Sequence, residues 1–256
     1  MKIYLLKAVQ AKLLAAGVAV LTVGSMIVAG VFQQGVMTSA GEQYLPIYSV
    51  ETPEKKISLT FDAAWENSDT DILIELLDQY QVKATFFATG DWVSRYPEDV
   101  KKLFNAGHEI QNHSDSHPHP NQLSREELVE DTYACDKKIK ELTGVFPNLY
   151  RTPYGEYNDQ VISTLNSLGK KTIQWDVDSI DWKDPTPQEM YDRVVGKVTN
   201  GSILLFHNDK PNTPEALRMI LPELKKQGYE FVTVNDLLVK GKFHINSNGR
   251  MIKDET

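Results

Sequence analysis

The chain has 256 residues, 41% of them hydrophobic, and a formal charge of −8. Three lysines and no acid fall in residues 1–40, which leaves −11 on residues 41–256. So acidic a domain is a poor partner for nucleic acid, whose phosphates call for Lys and Arg. Cys135 is the single cysteine, so no intramolecular disulfide forms, and a domain of this size needs none.

Residues 13–32 carry no charge and follow Lys2, Lys7 and Lys12. A helix of that length spans about 30 Å, the thickness of a bilayer core. Positive charge ahead of the run predicts the N-terminus inside and the remainder outside. The expectation is a single-pass anchor in the cell membrane, with the catalytic domain outside the cytoplasm. Cleavage near Thr38-Ser39-Ala40 is the rival, which would make the protein secreted. Residues 1–40 are thus assigned to the anchor or signal and 41–54 to a stalk and entry. A globular domain follows over 55–240, and 241–256 is a polar, aperiodic tail expected to be loosely held.

Within the domain, apolar or β-branched runs alternate with helical patterns. The predicted strands are 57–61, 84–88, 108–113, 149–153, 171–177, 202–207 and 231–234, with helices near 69–80, 97–106, 124–142, 157–168, 187–199 and 214–227. The first helix shows Ile72, Leu73, Leu76, Leu77 and Tyr80 on one face. The third opens with a capping box, Ser124-Arg125-Glu126-Glu127, and its stripe Leu128, Thr132, Cys135, Ile139, Leu142 marks Cys135 as a small core residue. Gly107, Gly169 and Gly228 each follow a helix, where a left-handed residue ends it. Alternation of this kind predicts an α/β fold with a parallel sheet, open or closed into a barrel.

The chemistry-bearing residues fall at strand ends. Asp62 follows the first strand, His113 ends the third, Arg151 ends the fourth, Asp178 and Asp181 follow the fifth, and His207 ends the sixth. In α/β sheets and barrels, sites form at the carboxyl ends of strands. His113 and His117, four apart, suit zinc or a neighbouring divalent metal, although alone such a pair also describes surface histidines. Asp62 reads as a base for a bound water or as a helix N-cap. Trp182, beside several acids, reads as a sugar platform or as core. His207 reads as a general acid if a carboxylate partners it.

These residues together resemble the polysaccharide deacetylases of carbohydrate esterase family 4, the NodB-homology domain. Five segments carry the likeness: Thr60-Phe61-Asp62-Ala63, His113-Ser114-Asp115-Ser116-His117-Pro118, Arg151-Thr152-Pro153-Tyr154-Gly155, Asp178-Ser179-Ile180-Asp181-Trp182 and Leu205-Phe206-His207. The Thr-Phe-Asp-Ala-Ala-Trp variant and the N-terminal apolar run look most like the PdaB-type sporulation deacetylases. The resemblance implies a distorted (β/α) barrel of about seven parallel strands. Such a protein removes acetyl groups from an N-acetylated cell-wall glycan, peptidoglycan or a chitin-like oligosaccharide, with a monomeric catalytic domain.

By position, Asp62 is the base, oriented by Arg151, and His113 and His117 hold a divalent metal, zinc first, with cobalt, nickel or manganese as alternatives. His207 is the acid, partnered by Asp181. The Tyr154 N–H meets the oxyanion, and Leu205 and Trp182 line the substrate pocket. One position departs from the family pattern: the second aspartate, a metal ligand, is here Ala63. Either Asp62 or Glu66 takes its place, or nothing does. A catalytically impaired glycan-binding or structural homologue is therefore the alternative. A two-carboxylate glycosidase, Asp62 with Asp181, is a more distant one that leaves the histidines without a purpose.

Overall fold

The computed structural model describes residues 44–254. The apolar run expected to anchor the chain, 13–32, lies outside the described residues. Among the described ones, no helix is long and apolar enough to cross a membrane.

The chain enters through a short strand, β1 (Ser49–Val50), and then β2 (Lys56–Ala63) runs through the centre of the sheet. Both faces of β2 are buried, so its sequence is apolar at Ile57, Leu59, Phe61 and Ala63 and small or polar at Ser58, Thr60 and Asp62. The first set packs under the helices, and the second points toward the interior of the barrel. Helix α1 (Thr70–Gln79) leads to β3 (Thr85–Ala88). Then α2 (Gly90–Arg95) and α3 (Pro97–Asn105) lead to β4 (Glu109–Asn112). The longest helix, α4 (Arg125–Thr143), has its capping box formed, with Glu127 N–H donating to Ser124 Oγ and Ser124 N–H donating to the Glu127 carboxylate. Such a cap is worth about 1 kcal/mol. Leu128, Thr132, Cys135 and Ile139 are its buried stripe, as the periodicity required.

After β5 (Leu149–Tyr150) come α5 (Asp159–Ser167) and β6 (Lys171–Thr172), then β7 (Val177–Asp178), α6 (Pro187–Val195), β8 (Ile203–His207) and α7 (Thr213–Lys226). The chain finishes with β9 (Glu230–Phe231), α8 (Val234–Leu237), β10 (Phe243–Ile245) and β11 (Arg250–Lys253). The main sheet is parallel, in the order β6-β5-β4-β3-β2-β8-β7, with β9 pairing the start of β2. It is the curled half-barrel expected from the alternating pattern.

Three expectations need correction. The strand anticipated over 171–177 is two strands, β6 and β7, at opposite edges of the sheet. The chain crosses between those edges at 173–176, where Ile173 bridges to Ile47 and Asp176 accepts from Ser202 Oγ and Ile203 N–H. Periodicity cannot distinguish one long strand from a crossing at the barrel's open seam. Second, the segment assigned to the stalk belongs in part to the domain: Ile47 and Val50 are buried, and β1 pairs with β11. Third, the tail is not loose. β10 and β11 form an antiparallel pair completed by β1, with Met251 fully buried. Its polar composition hid this because only one face of so small a sheet meets the core.

Candidate active site

The carboxyl ends of β2, β4, β5, β7 and β8 converge on a cavity of about 520 Å³. Asp62 reaches it from the last turn of β2. Arg151, just past β5, is fully buried and donates from Nη1 to Asp62 Oδ1 at 2.7 Å and to Thr60 Oγ1 at 2.9 Å. Its Nη2 donates to the Gln174 carbonyl at 3.2 Å, and the guanidinium lies 4.1 Å from the Phe87 ring centre. Burial pushes the Asp62 carboxyl up, but the charge of Arg151, the charge of His207 and the Arg151 hydrogen bond outweigh it and hold the pKa below the usual value. Asp62 is therefore ionised at neutral pH.

His113 follows β4 and is 2% exposed. Its Nδ1 lies 2.8 Å from the Arg151 carbonyl. A carbonyl only accepts, so Nδ1 carries the proton and Nε2 presents a lone pair. That lone pair faces Asp62 Oδ2 at 3.5 Å. His117 has φ +59° and sits edge-on to His113, with ring centres 4.9 Å apart. Burial lowers the pKa of both imidazoles, that of His117 to about 4 with help from His113, so both are neutral.

Two neutral imidazoles beside a carboxylate are the right donors for a borderline divalent ion, and the Nδ1–H bond to a carbonyl is how a ligating histidine is usually oriented. An acceptor facing an acceptor at Nε2 and Oδ2 also calls for a cation between them. The donor chemistry thus fits a metal. The count is short of the three protein ligands common in catalytic zinc sites. Among the described residues, no group of three or more His, Cys, Asp or Glu is gathered to hold an ion. Glu66 does not make up the difference, because its carboxylate accepts from Tyr96 Oη at 2.7 Å and sits 3.8 Å from Arg95. Ala63 is fully buried on the face of Phe61 and packs in the helix-side core.

On the strand next to β2, His207 is the register partner of Asp62, and Asp181, 1% exposed, lies 2.7 Å from His207 Nδ1. Its second oxygen accepts from His207 N–H at 2.7 Å and Thr213 Oγ1 at 2.9 Å. Burial pushes the His207 pKa down, yet the Asp181 hydrogen bond and charge outweigh it and raise the value above that of free histidine. Tyr154 has φ +59°, stacks on His119 at 4.3 Å and meets the edge of His117 at 4.6 Å. Leu205 lines the cavity wall, and Trp182, about half exposed, stands at the rim instead of in the core.

Of the nine site residues expected from sequence, seven line one cavity, and Arg151 and Asp181 lie buried behind Asp62 and His207, to which they are bonded. His108 and His244 stay outside it: the first is buried beside Ala84 N–H, and the second pairs with Asp254. Trp175, the other tryptophan of the acidic segment that holds Trp182, lines the cavity too, as do Trp65 and Lys210, which were missed. Each lies in a connection, where spacing holds no information about direction. The exposed tryptophan in Ala63-Ala64-Trp65 was the one available signal.

A curled parallel barrel with a carboxylate–arginine pair, two imidazoles and a carboxylate–histidine pair on its carboxyl rim is equipped for general acid–base chemistry. The family model described as "Polysaccharide deacetylase" matches residues 49–173, and the chain belongs to that family. It is 40% identical, over 75% of its length and 92% of the relative's, to a peptidoglycan-N-acetylglucosamine deacetylase of Bacillus cereus. The structure of Bacillus subtilis PdaA, a family 4 carbohydrate esterase, is similar at TM-score 0.72 and 32% identity, covering 76% of this chain and 85% of that one. So is a family 4 pseudoenzyme from Bacillus anthracis, at TM-score 0.72 and 34% identity over 75% and 68%. The chain spans 60% and 48% of the lengths of other curated relatives that it matches, from Bacillus subtilis and Listeria monocytogenes.

Proposed function

We propose that this chain removes acetyl groups from an N-acetylated cell-wall glycan, peptidoglycan in the first instance. One observation carries the reading: an ionised base held by Arg151 and an acid held by Asp181 stand side by side on neighbouring strands and line a single cavity with the imidazoles of His113 and His117. The names of the peptidoglycan deacetylases among its relatives support the substrate class. The apolar run at 13–32 supports action outside the cytoplasm, and the likeness to PdaB-type proteins supports a role in spore formation.

Asp62 takes a proton from water as its oxygen adds to the acetamide carbonyl. A divalent ion, zinc first, would be held by His113 and His117 and would supply Lewis acidity toward that carbonyl and toward water. The Tyr154 N–H donates to the developing oxyanion in this reading, a donor worth about 3 kcal/mol in such sites. His207, protonated, delivers its proton to the nitrogen as the carbon–nitrogen bond breaks, and acetate and a free amine leave. Leu205 encloses the acetyl methyl, and Trp182 offers its face to a sugar ring.

Ala63 favours a second reading, a glycan-binding homologue with little turnover, and a pseudoenzyme among the structural relatives gives that reading a precedent. Metal content and acetate release measured on the same protein decide between them. The enzyme is expected to bind one divalent ion and free acetate from peptidoglycan. Glycan retention without acetate from zinc-replete protein selects the second reading.

A further inference from the structure

Lys210 is the only lysine or arginine lining the cavity among the described residues. Its position is built. The loop after β8 is pinned to the loop after β2 by Asn208 N–H to the Asp62 carbonyl at 3.3 Å, Asn208 Nδ2 to the Glu66 carbonyl at 2.6 Å, and Ser68 Oγ to Asp209 Oδ1 at 2.5 Å. Asp209 takes φ +58°, and the Lys210 carbonyl accepts from Thr213 N–H at 3.2 Å. The ammonium ends 5.8 Å from the Trp65 ring centre, and among the described residues it forms neither a hydrogen bond nor an ion pair. Trp65 is half exposed and belongs to the loop to which this one is pinned.

An uncharged N-acetylglucosamine oligomer offers such an ammonium only neutral hydroxyl and carbonyl acceptors and no counter-charge. Closing a neutral sugar over it strips water from a charge with only partial compensation, which is costly. A carboxylate on the bound sugar reverses that sign. The proton delivered by His207 goes to the nitrogen on C2 of the sugar, and Lys210 lies three residues further along the same loop. Both side chains line one cavity, so an anionic substituent on the neighbouring O3 is the charge that binding brings nearest to the ammonium. In bacterial glycan, O3 of the muramoyl sugar bears a lactyl ether, whose carboxylate is free wherever the stem peptide has been removed.

Resting on the deacetylase reading above, we propose that Lys210, with Trp65 as platform, binds the carboxylate of an O3-lactyl amino sugar. The site is thereby directed to muramoyl residues over glucosamine ones. Lys210 here sets specificity and takes no part in the bond-breaking step.

The test uses the full chain with zinc and a muramoyl–glucosaminyl oligosaccharide. Mass spectrometry locates the lost acetyl group, and calorimetry compares binding of the same oligosaccharide with its carboxyl-reduced form. The wild type is expected to lose acetyl from the muramoyl sugar and to bind the carboxylate form at least tenfold more tightly. K210M should bring that binding ratio close to one, K210E should invert it, and K210R should largely retain it. Acetyl loss confined to glucosamine, or a ratio that survives in K210M, overturns the proposal. If no acetyl leaves either sugar, the deacetylase reading fails, and the calorimetric ratio still decides the role of Lys210.

Discussion

His207 shows how a single partner sets a residue's chemistry. Burial alone would lower its pKa and leave it neutral at pH 7, and the Asp181 carboxylate at 2.7 Å reverses that. In the proposed role the protonated form is the donor, so activity should fall as pH rises through this pKa. In Asp181→Asn the burial effect is left unopposed, so the falling alkaline limb moves to lower pH. Turnover at pH 7 should drop about a hundredfold or more, and a pH–rate profile checks both. Ala63 makes the complementary case. Ala63→Asp puts a carboxylate into a fully buried position among apolar neighbours, so the metal-free variant should be less stable by about 2–4 kcal/mol. Zinc should offset that cost, and its affinity should rise at least tenfold over the wild type. Thermal melts with and without zinc read both effects, and equal zinc shifts in variant and wild type would mean that the introduced carboxylate never reaches the ion.

At the scale of elements, legibility followed amphipathicity. Helices α1, α3, α4, α5, α6 and α7 were readable because each has a buried stripe and all but α1 a capping residue or a glycine stop, as at Ser124 and at Gly107 with φ +83°. The short α2 was missed: it buries Gly90, Trp92 and Val93 within six residues, too few for a period to show. Strand pairing at the barrel seam depends on close backbone approach, which no side-chain pattern reports. Gly201 is the clearest instance. It has φ +84°, and a Cβ there would lie 1.7 Å from the Val50 carbonyl oxygen, far inside contact distance. The Gly201 carbonyl accepts the Val50 N–H at 2.9 Å, which holds the two segments together. Gly201→Ala should therefore pry β1 from the start of β8 and lower stability by about 2–4 kcal/mol, measurable by urea denaturation.

For the whole molecule, the small β1-β11-β10 sheet joins the beginning and the end of the described chain. It carries Met251 into the cluster that contains Ile47, Val50, Phe87 and Ile203. Truncation after Lys240 removes β10 and β11 and uncovers that cluster. Burying one such side chain is worth about 1.5–3 kcal/mol, and Phe243 and Ile245 pack there as well. The shortened protein should thus lose about 3 kcal/mol or more, and a wild-type denaturation midpoint would show the hairpin to be dispensable.

By itself the sequence determined the alternating α/β order, the core stripes and the placement of Asp62, His113, Arg151, Asp181 and His207 at strand ends. These depend on local periodicity and on the direction in which a parallel strand delivers its last residue. The tertiary structure alone decided which groups pair. Arg151 reaches Asp62 from a different strand, and Asp181 grips His207 with both oxygens. Glu66 turns away to Tyr96, and Lys210 stands in the cavity beside Trp65. Such pairings are set by loop geometry and by distance in space, and neither is written in residue spacing.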